Sequence, residues 1–183
     1  AVYPRAVLEG ICEVARRHDL WVLSDECYDE FTFDDPHVGL TGLDRDDRVL
    51  TFFSFSKTHA MTGWRVGYAV VPDPTVRDLM GHLAEATISC PSTIGQRAAL
   101  AALTGPMEPI EEFRKAFDRR RKLMVKELSE VPGFKVPTPQ GAFYAYADVT
   151  ELLGREWGGV KIDTSLDLAD YILDKAEVAI VPG

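Results

Sequence analysis

Residues 4 to 18 carry Val7, Leu8, Ile11, Val14 and Ala15 at helical spacing, which predicts an amphipathic helix. Arg16, Arg17 and His18 suit its C-terminal turn, where the helix dipole favours cations. Immediately after it comes the short apolar run Leu20-Trp21-Val22-Leu23, stopped by the acidic Ser24-Asp25-Glu26. The run predicts a buried strand. A helix followed by a buried strand is the rhythm of an α/β sheet with crossover helices.

The rest of the first hundred residues keeps that rhythm. Asp34 to Arg48 is polar, contains Pro36, Gly39 and Gly42, and predicts a loop. Val49-Leu50-Thr51-Phe52-Phe53-Ser54 predicts a second strand that leads into Phe55-Ser56-Lys57. Arg65 to Val71 predicts a third, stopped by Pro72 and Pro74. From Pro74 to Leu103 the pattern is helical but broken at Cys90-Pro91-Ser92. Proline inside a helix is costly, so two helices should meet there.

After the break at Gly105-Pro106, residues 109–131 predict one long charged helix with a buried stripe of Phe113, Phe117, Leu123, Met124 and Leu128. Beyond Pro132-Gly133, residues 134–149 are strand-like and aromatic, with turn residues at Pro137, Pro139 and Gly141. Ser165 to Glu177 predicts an amphipathic helix capped by Ser165 or Thr164, and Val178-Ala179-Ile180-Val181 a final strand. The expected division is a large α/β part at 1–105 and a smaller α+β part at 106–183. The chain opens Ala1-Val2-Tyr3-Pro4 without an initiator Met and closes on a turn signal, which reads as an internal piece of a larger protein.

Composition narrows the functions. With 183 residues, 46% hydrophobic and 27% charged, the chain is globular rather than disordered, collagenous or coiled-coil. Its 20 Lys and Arg stand against 29 Asp and Glu, a net charge of −9 that repels phosphate backbones, so no nucleic-acid partner is expected. No apolar stretch reaches the roughly 20 residues of a membrane helix, so no membrane partner is expected either. Cys12, Cys27 and Cys90 are odd in number and lack CxxC spacing, as in a reduced, cytoplasmic protein.

Chemistry concentrates at two strand ends. In open α/β sheets, ligands gather outside the carboxyl ends of strands. The first strand runs into Asp25 and Tyr28, the second into Ser54, Ser56 and Lys57, and Arg65 follows eight residues later. A carboxylate, a phenol, two hydroxyls, an amine and a guanidinium suit a ligand with a phosphate, a basic ring nitrogen and an aldehyde.

Blander readings exist. Lys57 alone would be a solvated lysine, and Asp25 a helix cap. A Walker B-like reading of Asp25-Glu26 needs a GxxxxGK[ST] loop, and the sequence has none. His18, His37, His59 and His82 have no metal-ligand spacing and predict surface or helix-end roles. Asp34, Asp35, Asp44, Asp46 and Asp47 lack the EF-hand pattern, Cys27 reads as packing, and Arg119-Arg120-Arg121-Lys122 as a solvated helix face.

Ser54-Phe55-Ser56-Lys57-Thr58-His59-Ala60-Met61-Thr62-Gly63-Trp64-Arg65-Val66-Gly67-Tyr68 resembles the lysine signature of class I/II aminotransferases, fold type I enzymes of the aspartate-aminotransferase kind that use pyridoxal 5′-phosphate. Ser24-Asp25-Glu26-Cys27-Tyr28-Asp29-Glu30-Phe31 resembles the family's pyridine-binding strand end, and Pro139-Gln140-Gly141-Ala142-Phe143-Tyr144 the opening of its small domain. The resemblance covers nearly the whole chain. It implies that 1–105 is the C-terminal part of the large cofactor-binding domain, a mostly parallel sheet with crossover helices. It implies that 106–183 is a linking helix and part of the α+β small domain.

By the same resemblance, Lys57 would form the internal aldimine and afterwards shuttle the proton. Asp25 would pair with the pyridine nitrogen and Tyr28 with the phenolic oxygen, while Arg65, Ser54 and Ser56 would bind the phosphate. The implied function is amino-group transfer from an amino acid to a 2-oxo acid by a cytoplasmic homodimer, with half of an active site in this chain. A lyase on the same fold, or the effector-sensing domain of a transcription regulator, stays open beside it.

Overall fold

The computed structural model describes residues 2–183. Within them the chain forms two compact units. One runs to Asp118 and takes in Gln140–Phe143, and the other comprises Arg119–Pro139 and Tyr144–Gly183.

In the first unit, α1 (Arg5–Arg17) buries Leu8 and Ala15, with Arg16 and Arg17 in its last turn. Three strands follow: β1 (Val22–Asp25), β2 (Val49–Ser54) and β3 (Gly67–Val70), in the order β1-β2-β3. β1 and β2 are parallel, Val22 facing Val49 and Asp25 facing Phe52. β2 and β3 are antiparallel, Ser54 facing Gly67. The β1–β2 connection carries a single 3-10 turn, Leu40–Gly42. It packs onto α1 and the sheet through Leu8, Leu40 and Val49. β2 is the buried strand, with Val49, Leu50 and Thr51 all inside.

β1 departs from expectation. It starts two residues later than the apolar run and extends through Ser24 and Asp25, and Leu23 is 70% exposed. Among the described residues β1 is an edge strand, and Leu23 stands exposed beside the buried Leu50 of β2. The two helices expected around Pro91 are α3 (Pro74–Ile88) and α4 (Thr93–Thr104). Asp73 caps α3 by accepting from Val76 N at 2.8 Å.

α5 (Glu108–Ser129) is the long charged helix. Its stripe is not buried as expected: Phe113, Leu123 and Met124 are exposed, while Ile110 is buried. The second unit's core is built instead from Leu152, Ile162 and Leu168, with Phe134, Trp157 and Tyr171 around them. A hairpin that the sequence reading passed over supplies part of it: β4 (Arg155–Trp157) and β5 (Val160–Ile162), joined by Gly158-Gly159 at φ 56° and 81°. Two consecutive left-handed residues make the mirror-image turn that matches strand twist. α6 (Ser165–Ala176) carries a reciprocal cap, Thr164 with Asp167.

Two expected strands are absent among the described residues. Residues 134–149 make only isolated bridges, Lys135 with Asp148 and Thr32 with Gly141, because Pro137 and Pro139 have no N–H to give a ladder. Residues 178–181 pair with no other strand, and Val181 is 92% exposed.

Candidate active site

At the end of β2 the chain turns at once into α2 (Phe55–Thr58), one turn of helix that carries Lys57. Ser54 caps it, its Oγ accepting from Ser56 N at 3.1 Å. The return path is tied back onto the same turn. Met61 N donates to Phe55 O at 3.2 Å, and Phe55 N to Val66 O at 3.2 Å. Thr62 Oγ1 donates to Ser56 O at 2.8 Å, and Arg65 Nη1 to Thr62 O at 3.0 Å. Ala60 and Arg65 sit in the left-handed region, at φ 52° and 54°, so the loop is over-determined. Beneath it, Phe55, Met61, Val66 and Ala99 form a buried cluster.

Gly67 fixes the join to β3. A Cβ there would lie 2.6 Å from Phe53 O, so only glycine lets the two backbones approach this closely.

Asp25 ends β1 beside this turn. An open cleft of about 590 Å³ is lined by Asp25, Cys27, Ser54, Ser56, Lys57, Thr62 and Arg65, with Leu23, Phe52 and Phe53 as its apolar part. Five of the six residues singled out in the sequence therefore share one space. The sixth, Tyr28, is not among the lining residues and packs edge-on to Phe143, ring centroids 5.2 Å apart. Phe143 in turn stands against Lys57, whose Nζ lies over its ring, 5.6 Å from the centroid.

Asp25 Oδ1 accepts from Cys27 N at 3.2 Å. Burial, then the hydrogen bond and charge of Asp25, push the Cys27 thiol up to about 11. It is therefore an uncharged thiol at neutral pH, which fits packing and not attack.

One residue past Asp25, Glu26 is buried. Its Oε1 accepts from Ser24 Oγ at 2.9 Å and from Leu40 N at 3.2 Å, and its Oε2 shares a hydrogen bond with His37 Nε2. Burial alone would raise this carboxyl, but His37, Ser24 and the Leu40 amide together hold it below the ordinary range. The same contact raises His37. His37 is thus not the bland surface histidine expected, because the loop folds it back onto Glu26. His18 and His59 sit at helix C-caps as expected, and no metal-ligating cluster exists among the described residues.

The cleft has the volume of a small-molecule site and its donor set is specific. A guanidinium and two hydroxyls can grip a phosphate, a carboxylate can hold a protonated ring nitrogen, and an amine on a rigid turn can meet an aldehyde. Pyridoxal 5′-phosphate has all three features, so the residues fit it. Phe143 and Thr62 were not singled out from the sequence. Phe143 lies inside the Pro139–Tyr144 motif, but nothing in that motif points to Lys57.

The sequence matches the family model for aminotransferase class I and II over residues 1–183. It is 42% identical over 190 residues to an aspartate/prephenate aminotransferase of Cereibacter sphaeroides, covering 100% of this chain and 47% of that protein. Among solved structures, an aspartate aminotransferase from Rhizobium meliloti superposes with a TM-score of 0.92 at 36% identity, covering 100% of this chain and 46% of that one. An alanine aminotransferase from Pyrococcus furiosus superposes at 0.87 and 34% identity, covering 99% and 45%. The chain spans about half the length of the curated relatives it matches.

Proposed function

Since this chain belongs to the class I and II aminotransferase family, we propose that the protein containing it transfers an amino group from an amino acid to a 2-oxo acid, with pyridoxal 5′-phosphate as cofactor. The observation that carries this reading is the cleft in which Lys57, Asp25, Arg65, Ser54 and Ser56 converge. The names of the relatives point to aspartate as amino donor. In this reading 1–105 belongs to the large cofactor-binding domain, and 106–183 to a linking helix and the small domain. The assembly is a cytoplasmic homodimer, the compartment agreeing with the unpaired Cys12, Cys27 and Cys90.

Each residue has one task. Arg65, with the hydroxyls of Ser54 and Ser56, binds the phosphate and fixes the cofactor's depth in the cleft. Asp25 faces the ring nitrogen and keeps its proton in place through charge pairing. Tyr28, which packs on Phe143 and does not line the cleft, would donate to the phenolic oxygen by the family resemblance alone. Lys57 would hold the aldehyde end, and its free amine would take the proton from the substrate's α-carbon on Nζ. When bound, the cofactor supplies the electron sink that makes that proton removable. The rigid turn from Ser54 to Arg65 keeps Nζ oriented, so little ordering remains to be done at reaction.

The test uses the full-length parent protein incubated with pyridoxal 5′-phosphate, reduced with borohydride and mapped by peptide. A phosphopyridoxyl group on Lys57, with 2-oxoglutarate-dependent turnover of aspartate, is the expected result. A folded protein with no label on Lys57 overturns the cofactor reading. A labelled Lys57 without transamination of any amino acid leaves the lyase or sensor reading in its place.

A further inference from the structure

Lys57 is part of the cleft, yet the ring over its Nζ belongs to a segment far along the chain. The backbone of Gln140–Phe143 is tied into the first unit: Phe33 N donates to Gln140 O at 3.0 Å and Ala142 N to Phe31 O at 2.8 Å. The approach needs Gly141, where a Cβ would meet Phe31 O at 2.9 Å, and it puts Ala142 at φ 60°. A left-handed alanine is held only when its surroundings insist on it. Here it turns the chain so that Phe143 lies against the lysine. The ring is braced from behind, stacked on Phe117 at 5.1 Å, and Phe117 in turn meets the fully buried Phe31 at 5.1 Å. Tyr28 abuts it edge-on at 5.2 Å. A braced ring presenting its face to an amine at 5.6 Å has the arrangement of a cation–π pair.

We propose that the ring of Phe143 is the resting place of the Lys57 ammonium in the cofactor-free protein, holding the protonated amine over its face. Phe143 then offers the charged nitrogen a π face. Phe143 acts on the reaction through Lys57, as a positioning residue. Its importance for transamination rests on the reading of Lys57 given above. The contact itself does not, and can be tested without cofactor.

The experiment is competitive trace acetylation of the cofactor-free full-length protein, with Lys57 labelling read by mass spectrometry against the exposed Lys115. Pentafluorophenylalanine at position 143 keeps the ring's shape and removes its negative face. It should raise relative labelling of Lys57 by about two- to five-fold, the range of a partly exposed cation–π pair. Phe143→Tyr should label like the parent, and Phe143→Leu like the fluorinated ring. Equal labelling of Lys57 with phenylalanine and its pentafluoro analogue overturns the proposal. A role in filling space alone gives that result, because the two rings fill nearly the same volume. Failure of the borohydride test with a fluorine-sensitive Lys57 would instead sink the cofactor reading and leave this contact standing.

Discussion

Glu26 and His37 are hydrogen-bonded to each other, the first buried at the end of β1 and the second on the loop that leads to β2. This pair ties the loop to the strand end that carries Asp25. Its contribution to stability follows from the two directions of shift. Glu26 is lowered from its ordinary 4.5, so its share is present above that value and lost as pH falls through the folded value. His37 is raised from 6.5, so its share is complete below 6.5 and lost as pH rises through the folded value. The parent should therefore exceed His37→Ala in stability most between pH 4.5 and 6.5, by about 1 kcal/mol given the partial exposure of His37. Urea denaturation across pH 4 to 9 checks this, and a difference that does not change with pH would refute it.

Asp25 raises the Cys27 thiol as well as facing the cleft. Burial is the larger cause and stays in place, but Asp25→Asn removes the charge, so the thiol should fall part of the way from about 11 and alkylate faster with iodoacetamide at pH 8.5. Transamination should fall by about 100-fold in the same variant, the usual order for removing a preorganised charge at the reacting centre. Unchanged alkylation would mean that burial alone sets the thiol.

Thr58 is buried directly after Lys57, and its Oγ1 finds no hydrogen-bond partner among the described residues. Thr58→Val replaces an unsatisfied hydroxyl with a methyl of nearly the same shape. It should stabilise the protein by about 1 kcal/mol, the lower end of the penalty for an unmet buried group. A lower melting temperature would indicate a partner for that hydroxyl.

Gly67→Ala puts a methyl 2.6 Å from Phe53 O, a backbone atom that cannot swing aside. The strain should cost about 1–3 kcal/mol and shift Ser54, which pairs with Gly67 in the sheet. Chemical denaturation gives the first effect. Weaker binding of pyridoxal 5′-phosphate, by absorbance titration, gives the second.

Much of this was legible in the sequence, where local rules decide. β2 could be read to its ends because Val49-Leu50-Thr51-Phe52-Phe53 is rich in β-branched and aromatic residues and stops at Ser54. The Cys90-Pro91-Ser92 break divides α3 from α4 for the same local reason. The hairpin β4–β5 was equally legible, since Gly158-Gly159 between Trp157 and Val160 is a turn signal. Other features had no local signature. Nothing around His37 says that it meets Glu26, and nothing around Phe143 says that it faces Lys57; both depend on loop paths. The exposed stripe of α5 marks the opposite limit, because periodicity predicts an apolar face and not what covers it.

Gln140–Phe143 belongs to the first unit although Arg119–Pro139, which precedes it in the chain, belongs to the second. A nascent chain emerging from the ribosome therefore presents Lys57 long before the aromatic wall for that lysine has been made. Until residue 143 is out, the first unit lacks one of its own pieces, and closing it requires a long excursion to return. Vectorial synthesis thus gives the lysine turn an interval of exposure, and any truncation before Gln140, however well the remainder packs, leaves that turn permanently open on one side.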